Sequence, residues 1–268
     1  MTVLLVLAAL AGLFLAALAW GWFEAGWVEL RERDCPVRGL PPELDGLRVA
    51  HLSDFHLGAP SRGAVAVERA VDWAAARRPD LVAITGDLLT HPRGEALLRA
   101  LVERLPLPAF AVLGNHDVAV SRDPQARASN LRELGPVRLL RDEGEPVELR
   151  GRRVWIAGTL PRRRLDPNAL SRDADLRILL SHFPRVFDRL EPRRFELVLA
   201  GHMHDGQIAL PYPGGKLRLA HLHARYPRGV FRGPAGTMHV SPGLGTTFVP
   251  FRFAARPEAT ELVLRSIA

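Results

Sequence analysis

The stretch LRVAHLSDFH, residues 47–56, decides the fold class of this chain. It is a short aliphatic run, typical of a strand buried on both faces, and it ends in Asp54 and His56. Three later stretches repeat the arrangement: LVAITGD (81–87), FAVLGNHD (110–117) and LVLAGHMH (197–204). Because open α/β sheets build their sites where strands end, the pattern predicts an α/β fold with one polar site at the sheet edge.

The polar residues after these runs, together with a histidine that follows Ser181, form a ligand set for two divalent metal ions. The expected ligands of the first ion are Asp54, His56, Asp87 and His204, and those of the second are Asp87, Asn115, His182 and His202. Two-metal hydrolases hold their ions roughly 3.5–4 Å apart, so one ligand must touch both, and the carboxylate of Asp87 suits that role. Nitrogen and oxygen ligands without thiolate favour Mn²⁺, Fe or Zn²⁺ over Ca²⁺ or Mg²⁺.

A glycine precedes a candidate ligand in three of the motifs, at Gly86, Gly114 and Gly201. Glycine lets the chain turn sharply and brings backbone and side chains close to an ion. We therefore expect tight loops at these three strand ends.

The motifs D-x-H, G-D, G-N-H-D, H and G-H-x-H, in this order, resemble those of the calcineurin-like metallophosphoesterases. The resemblance runs from about Leu47 to the C-terminus and implies a two-sheet αββα sandwich. It also implies a metal-dependent phosphoric ester hydrolase with the two metal sites given above, His116 as the catalytic histidine and Asp117 as its orienting partner. In such a site, His116 would protonate the leaving oxygen or stabilise it as imidazolium, and a neighbouring carboxylate would fix its tautomer and raise its pKa.

Later stretches are similar to a membrane-anchored bacterial branch of this family that includes UDP-2,3-diacylglucosamine pyrophosphatases. They are DGQIALP (205–211), YPRG (226–229), VSPGLGT (240–246) and PFRFAARPE (250–258). Relatives often carry G-H-T-H-G-G-Q, where this chain has Met203 and Asp205. These two changes lie beside ligands and bear on specificity rather than on metal binding.

An uncharged run, TVLLVLAALAGLFLAALAWGWF, extends from Thr2 to Phe23. A helix of about 20 residues spans the hydrocarbon core, and Trp20, Trp22 and Trp27 suit the membrane interface. A cleaved signal peptide is the alternative, since residues 17–19 read A-L-A, but no Lys or Arg precedes the run. We expect an uncleaved anchor at 1–27, a linker at 28–46 and the metallophosphoesterase domain at 47–268.

The basic residues are open to two interpretations. Arg31, Arg33 and Arg38 follow the anchor and favour a cytoplasmic catalytic domain under the positive-inside rule. The net charge is +7, and a second group of arginines is either a solvated face or a binding site for phosphate or anionic headgroups. Its members are Arg150, Arg152, Arg153, Arg162, Arg163 and Arg164.

Helical segments are predicted at 62–76, 93–104 and 123–133, alternating with the strands. The histidines outside the motifs are expected to be structural or surface residues, with His223 the strongest exception; they are His51, His91, His221, His223 and His239. The lone Cys35 forms no intramolecular disulfide and says nothing about the compartment.

The leading functional hypothesis is a membrane-anchored dinuclear-metal phosphodiesterase or pyrophosphatase. Its substrate would be lipid-linked or nucleotide-sugar-linked, with a UDP-2,3-diacylglucosamine-type molecule as a candidate and a role in lipid metabolism. A metal-dependent nuclease is the alternative, but the arginines lack interleaved aromatic residues, so no nucleic acid partner is expected. A non-catalytic membrane scaffold with a vestigial site is the third, and the complete ligand set argues against it.

Overall fold

The computed structural model describes residues 2–161, 165–220 and 222–267. The α-helices in this part of the chain are α1 (Thr2–Glu24), α2 (Gly63–Arg77) and α3 (Glu95–Val102). The strands are β1 (Glu29–Arg38), β2 (Arg48–Leu52), β3 (Leu81–Thr85), β4 (Ala109–Val112), β5 (Arg138–Leu139), β6 (Glu143–Leu149), β7 (Arg152–Gly158), β8 (Leu176–Ser181), β9 (Leu197–Ala200), β10 (Ala209–Tyr212), β11 (Gly215–Arg218), β12 (Gly229–Gly233), β13 (Gly236–Val240) and β14 (Glu258–Ile267). Short 3-10 helices lie at Pro42–Leu44, Pro92–Gly94, Pro167–Leu170, Pro184–Arg189 and His204–Gly206.

Two six-stranded sheets form the body of the domain. The first has the order β1-β14-β2-β3-β4-β5 and the second the order β12-β13-β9-β8-β7-β6. In the first sheet β2, β3, β4 and β5 run parallel, and in the second β7, β8, β9 and β13 do. Parallel neighbours place their carboxyl ends at the same edge, so the loops after β2, β3 and β4 start side by side, as do those after β8 and β9.

The sheets pack face to face across a largely apolar layer. Val49 of β2 and Phe110 of β4 meet Ile156 of β7 and Ile178 of β8 in this layer. On the outer face of the first sheet, the apolar sides of α2 and α3 cover a second cluster. The outer face of the second sheet is covered by 3-10 segments and loops that include Phe187 and Phe195. The predicted two-sheet α/β sandwich preceded by an N-terminal apolar helix is confirmed.

The stretch 28–46, expected to be a linker, contains strand β1. Glu29–Arg38 pairs with Glu258–Ile267 in parallel register along its whole length. Cys35 and Val37 of this strand point into the layer between the sheets and are buried. Glu32, Asp34, Pro36 and Arg38 alternate with these two residues and lie on the outer side of an edge strand, where charged residues and proline are tolerated.

The helix expected at 123–133 is absent, although the structure describes all of these residues. The carboxylate of Asp123 accepts hydrogen bonds from the backbone N–H of Gln125 at 2.9 Å and of Phe248 at 2.8 Å. It also accepts one from the Thr247 hydroxyl at 3.0 Å. These bonds hold the segment as a loop against a distant part of the chain, and this tertiary contact overrides the local helix propensity.

Helix α1 is, among the described helices, the one long and apolar enough to cross a membrane, and its apolar stretch is not buried by the domain. Its last turns do contact the domain. The backbone carbonyl of Gly21 accepts from Arg252 N–H at 3.0 Å, and the Glu24 carboxylate accepts from Ala255 N–H at 2.9 Å. The end of α1 is therefore fixed against the loop that precedes β14.

The arginines that follow β6 lie far from α1. Arg150 pairs with Asp80 at 2.9 Å and donates to the carbonyl of Asp45 at 3.0 Å. Arg152 pairs with Glu43 at 2.5 Å and with Asp175 at 3.4 Å. This region lies near the end of β1, about 30 Å from its start beside α1 at 3.3 Å per residue. The arrangement favours the solvated, ion-paired interpretation over headgroup binding; residues 162–164 lie outside the described part.

Candidate metal centre

Loops at the ends of five strands bring the seven expected ligands together. Three groups of His and Asp ligand atoms each lie within 4.8 Å of one another: Asp54, His56 and His204; His56, Asp87 and His116; and Asp87, His182 and His202. Asn115 joins the last group, because its Oδ1 lies 3.0 Å from His182 Nε2. The ligands lie in the loops after β2, β3, β4, β8 and β9, so parallel strand ends produce the convergence. The strand β8, which precedes His182, was not among the strands predicted from the sequence.

The first group surrounds a point between β2 and β9. His204 Nε2 lies 3.1 Å from His56 Nε2 and 3.4 Å from Asp54 Oδ1. Two imidazole nitrogens this close cannot both present a proton to each other, so at least one offers a lone pair. Convergent lone pairs of this kind suit a cation.

Asp87 links the group that contains Asp54, His56 and His204 to the group that contains His182 and His202, and it does so through a single oxygen. Its Oδ2 lies 3.5 Å from His56 Nε2 and 3.3 Å from His182 Nε2. Its Oδ1 accepts a hydrogen bond from the backbone N–H of His116 at 2.8 Å. The second group is completed by His202, whose Nδ1 lies 3.1 Å from His182 Nε2. The bridging position expected for Asp87 thus falls on one of its two oxygens.

The loops that carry these ligands are strained. Asp54, His56, Asp87, His202 and His204 all have φ between 47° and 72°, the left-handed region that costs about 1–3 kcal/mol for residues other than glycine. Such strain persists only where the surrounding structure enforces it, and it clusters at functional sites.

Glycines allow the close approach of these loops. A Cβ at Gly114 would collide with the Asp87 carboxylate, and one at Gly201 would collide with the side chains of Ser53 and Asp54. Gly86 has φ +90°, and its Cβ would meet the backbone of Gly114. The expectation of tight glycine loops at the three strand ends agrees with this packing.

The buried charges of the centre suit a cation. Asp54 is fully buried and Asp87 nearly so, and in the described part of the chain their ion pairs involve only histidines. Burial opposes ionisation of both, but the neighbouring His204 and His182 hold the pKa of Asp54 below its ordinary value. His182 and His56 do the same for the pKa of Asp87. Buried carboxylates facing imidazoles fit the residues to divalent metal ions.

The histidines respond to burial in two ways. Burial lowers the pKa of His202 to about 3 and holds the pKa of His56 well below its ordinary value, so both stay neutral. For His182, burial is outweighed by Asp87 and Asp54, which raise its pKa to about 9. Neutral imidazole is the form that binds a metal, so loading the centre would release a proton from His182.

Contacts behind the ligands orient the imidazole rings. His56 Nδ1 lies 2.9 Å from Thr90 Oγ1, and His182 Nδ1 donates to the carbonyl of Thr85 at 2.9 Å. The guanidinium of Arg252, itself fully buried, lies 3.0 Å from His204 Nδ1 and donates to the carbonyls of the loop around Gly245. Such contacts fix tautomer and ring orientation. The sequence reading missed these supporting residues, although Arg252 lies in one of the stretches that carried the resemblance.

His116 lies beside the ligands with a different set of partners from the one expected. Its Nε2 lies 4.0 Å from Asp87 Oδ2, 2.9 Å from Ser121 Oγ and 3.3 Å from Thr247 Oγ1. Thr247 in turn donates to Asp123 at 3.0 Å. Burial lowers the pKa of His116, and Asp87 and Asp123 oppose this effect. Ser121, Thr247 and Asp123 therefore form the polar surroundings of this ring.

Asp117, expected to orient His116, performs another task. Its two oxygens accept hydrogen bonds from the backbone N–H groups of Leu88 at 3.1 Å, Leu89 at 3.0 Å and Gly114 at 2.8 Å. Burial, with Asp87 nearby, raises the pKa of Asp117 to about 7. The structure thus places this carboxylate between the two loops that carry Asp87 and Asn115 instead of on the ring of His116.

Two clefts adjoin the centre on either side of Phe183, His202 and Met203. One, of about 660 Å³, lies directly over the ligands and has a largely apolar wall. The residues of that wall are Val120, Phe183, Met203, Ile208, Leu219, Phe248 and Val249. The other, of about 630 Å³, contains Arg185, Arg189, Arg225, Tyr226 and His223. One cleft suits an apolar group and the other an anionic or aromatic one.

The other histidines have local roles. His51 and His239 are fully buried against each other between the sheets, with 2.8 Å between their Nδ1 atoms. His91 accepts a hydrogen bond from Arg93 N–H at the start of a 3-10 helix. His223 is exposed in the wall of the arginine-containing cleft, and His221 lies outside the described residues.

Comparison with known proteins adds to this geometry. The calcineurin-like phosphoesterase family matches residues 47–206. The chain is 28% identical over 232 residues to the uncharacterized metallophosphoesterase YkoQ of Bacillus subtilis (strain 168), covering 83% of this chain and 84% of that protein. It is 32% identical to a transmembrane protein with metallophosphoesterase domain of Danio rerio, covering 87% of this chain and 56% of that protein. It is 25% identical to the UDP-2,3-diacylglucosamine pyrophosphatase LpxG of Chlamydia muridarum (strain MoPn / Nigg), covering 73% and 76%.

Proposed function

Because the chain belongs to the calcineurin-like phosphoesterase family and is a metal-dependent phosphoric ester hydrolase, we propose that it cleaves a lipid-linked or nucleotide-sugar-linked substrate at the membrane. The bond is a phosphodiester or a pyrophosphate, and a UDP-2,3-diacylglucosamine-type molecule is the candidate substrate. The similarity to a pyrophosphatase of that name supports this choice.

The observation that carries the proposal is the apolar cleft over the ligands. Its floor contains Asp87, Asn115 and His116, and its walls are formed by side chains such as Phe183 and Leu219. An enzyme for small polar phosphoesters has no use for such walls, whereas an acyl chain gains about 25 cal/mol for each Å² of apolar surface removed from water. The arginine-containing cleft next to it suits the charged remainder of the substrate.

In this proposal the two groups of ligands described above each hold one divalent ion, Mn, Fe or Zn, and Asp87 is shared. The ions would make a water nucleophilic near neutral pH and would neutralise charge on the phosphoryl oxygens. The ligands of this chain are preorganised, because the strained loops at the strand ends hold them in place before the substrate binds.

His116 supplies the acid. Its Nε2 faces both the ligand groups and the cleft, so it can give a proton to the leaving oxygen. The hydroxyls of Ser121 and Thr247 hold the ring at this nitrogen until a substrate displaces them. Asp117 contributes by fixing the loops of Asp87 and Asn115 to each other.

The anchor and its orientation belong to the same proposal. Residues 1–27 would form a single-pass anchor and the remaining chain the catalytic part, on the cytoplasmic side. The similarity to transmembrane relatives supports membrane attachment. In right-side-out membrane vesicles, we expect the catalytic part to be protected from added protease. Digestion of the catalytic part in these vesicles would show that it lies on the outer side instead.

The nuclease alternative finds less support. A single-strand nuclease stacks bases on aromatic side chains along a basic groove. Here Arg150 and Arg152 are ion-paired and lie at the far end of the domain. Phe183, which packs on His202, and Phe248 are the aromatic residues in the wall of the cleft over the ligands, and their neighbours there are mostly aliphatic.

The test uses the purified full-length protein in detergent with Mn²⁺. It is assayed against UDP-diacylglucosamine, bis-p-nitrophenyl phosphate and single-stranded DNA, beside Asp87→Asn and a matched exposed-aspartate control, Asp173→Asn. We expect the diacylated substrate to give the highest kcat/KM, with Asp87→Asn inactive and Asp173→Asn unchanged. Preference for DNA would favour the nuclease, and inactivity on all three substrates would favour the scaffold.

A further inference from the structure

The β10–β11 hairpin turns its apolar face outward. In its register Leu210 lies opposite Leu217, and Tyr212 and Leu219 lie two residues further on in each strand direction, so all four share one face. Their exposed fractions are 52%, 44%, 57% and 47%. A hairpin whose outer side met only water would pack this apolar face against the domain and expose its polar face.

The polar face of the hairpin is bound to the domain instead. Arg218 Nε donates to the Asp205 carboxylate at 2.6 Å, and Lys216 Nζ donates to the carbonyl of Ala254 at 2.5 Å. Asp205 is fully buried and also pairs with Arg228 at 3.1 Å. Turning the hairpin over would remove Arg218 and Lys216 from the buried carboxylate of Asp205, so the outward apolar face is built into the fold.

The hairpin lies next to the end of α1. Ile208, which precedes β10, pairs with Phe253, and the N–H of Ala209 donates to the Phe253 carbonyl at 2.9 Å. The ring of Phe253 packs against Gly21 of α1, so closely that a Cβ there would collide with it. Gly21 lies near the end of the apolar run, where a spanning helix leaves the hydrocarbon core.

The loop that contains Phe248 and Val249, between the cleft and α1, extends this exposed apolar surface. Phe248 and Val249 have exposed fractions of 51% and 39%. Arginines surround this surface: Arg256 lies over the ring of Trp27 at 3.7 Å, and Arg62 over Phe23 at 5.6 Å. Apolar side chains bordered by aromatic residues and arginines are the composition of a surface that lies in the headgroup region.

We propose that the lipid bilayer covers this surface, the membrane face, defined by Leu210, Tyr212, Leu217, Leu219 and Phe248. The inference rests on the proposed function only in taking α1 as the membrane anchor. Because the end of α1 is fixed to the domain, the anchor determines which side of the domain meets the lipid. Leu219 and Phe248 also line the cleft over the ligands, so that cleft opens onto the bilayer. A lipid-linked substrate then reaches the ligands without leaving the membrane.

The test places a polarity-sensitive fluorophore on full-length protein in phosphatidylethanolamine–phosphatidylglycerol vesicles. Leu217→Cys carries the fluorophore on the membrane face, and Arg38→Cys carries it at the far end of β1. Burial raises the pKa of the Cys35 thiol to about 12, so the native cysteine stays unlabelled. With spin-labelled lipids as quencher, the Leu217→Cys label should lose about half or more of its emission, while the Arg38→Cys label should keep nearly all of it.

A flotation assay of the same vesicles separates the two ways of failing. Protein that floats with equal quenching at both positions keeps the anchor and overturns the membrane face. Protein that does not float overturns the anchor, and the membrane face with it.

A second variant tests the consequence for substrate access. Leu210→Glu/Leu217→Glu should lower hydrolysis of a diacylated substrate in vesicles about ten-fold, with hydrolysis of bis-p-nitrophenyl phosphate unchanged, because the charges lift the cleft from the lipid. Arg38→Glu is the control and should change neither rate. Equal vesicle rates in the double variant and the control would overturn lateral access.

Discussion

Lowering the pH from about 7.5 to about 5 should destabilise the protein through His51 and His239, which are buried against each other between the two sheets. His51 Nε2 also lies 2.9 Å from Thr85 Oγ1, and His239 Nε2 has no hydrogen-bond partner among the residues that the structure describes. Burial lowers the pKa of His51 to about 3, with Asp54 opposing. Burial holds the pKa of His239 well below its ordinary value, with charges on His51, Arg33 and Arg228 adding to the effect.

The sign follows from the direction of these shifts. Below the ordinary histidine pKa of 6.5 the unfolded chain binds protons that the folded chain refuses, so stability falls as the pH drops from 6.5 towards 3. Each unit of pH in that window costs about 1.4 kcal/mol for each histidine. At about pH 5 the loss is therefore about 2 kcal/mol for His51, and the lowered pKa of His239 adds to this loss in the same direction.

The assay compares wild type with His51→Gln/His239→Gln by urea unfolding in detergent, followed by tryptophan fluorescence at both pH values. The difference in unfolding free energy between the two pH values should be smaller in the double variant by about 2 kcal/mol or more. His223→Gln, at an exposed position, is the control and should leave the difference unchanged. The single variant His51→Gln should account for about 2 kcal/mol of the effect if the double variant does not fold. An identical pH dependence in wild type and the His51 variants would refute the reasoning.

Three further predictions concern the metal centre. Asp87→Asn should lose the more weakly held ion and lower kcat by about 10³-fold or more, and two tightly bound metals in elemental analysis would contradict the bridging assignment. His116→Ala should keep its metal content but lose about 10²–10⁴-fold in rate, less with a p-nitrophenolate leaving group; equal losses on good and poor leaving groups would argue against an acid. Asp117→Asn should lower the unfolding free energy by about 1–3 kcal/mol in urea titrations. The two carboxylate oxygens of Asp117 accept from three backbone N–H groups, and an amide has only one oxygen to accept them. A rate loss in that variant without a loss of stability would restore Asp117 as the orienting partner of His116.

The convergence of the candidate ligands was predictable from the sequence because it depends on strand ends. Apolar runs before Asp54, Asp87, Asn115 and His202 are local signals, and the parallel sheet converts them into a common edge. The same local logic failed for Asp117. Its motif position suggested a contact with its neighbour His116, but its partners come from the loop after β3, which only the folded chain brings within reach.

Strand β1 and the 123–133 loop were missed for a related reason. β1 carries charges on an exposed edge and acquires its strand conformation from pairing with β14. The 123–133 loop is determined by the bonds of Asp123 to Thr247 and Phe248. Neither partner is near in sequence, so composition favoured a linker in one case and a helix in the other. The hairpin at 209–218 could have been suspected from its alternating Leu and basic residues, but not which face meets the protein.

The pairing of β1 with β14 also orders events during synthesis. Glu29 pairs with Glu258, a separation of 258 − 29 = 229 residues. At about 5–20 residues per second, β1 emerges roughly 10–45 s before its partner strand exists. As the proposed anchor, helix α1 precedes β1 and would engage the membrane first, so during this interval an unpaired strand would lie beside the bilayer. β14 would therefore pair with a strand that α1 already holds in place. This tethering limits contacts between the open strand edge and other nascent chains.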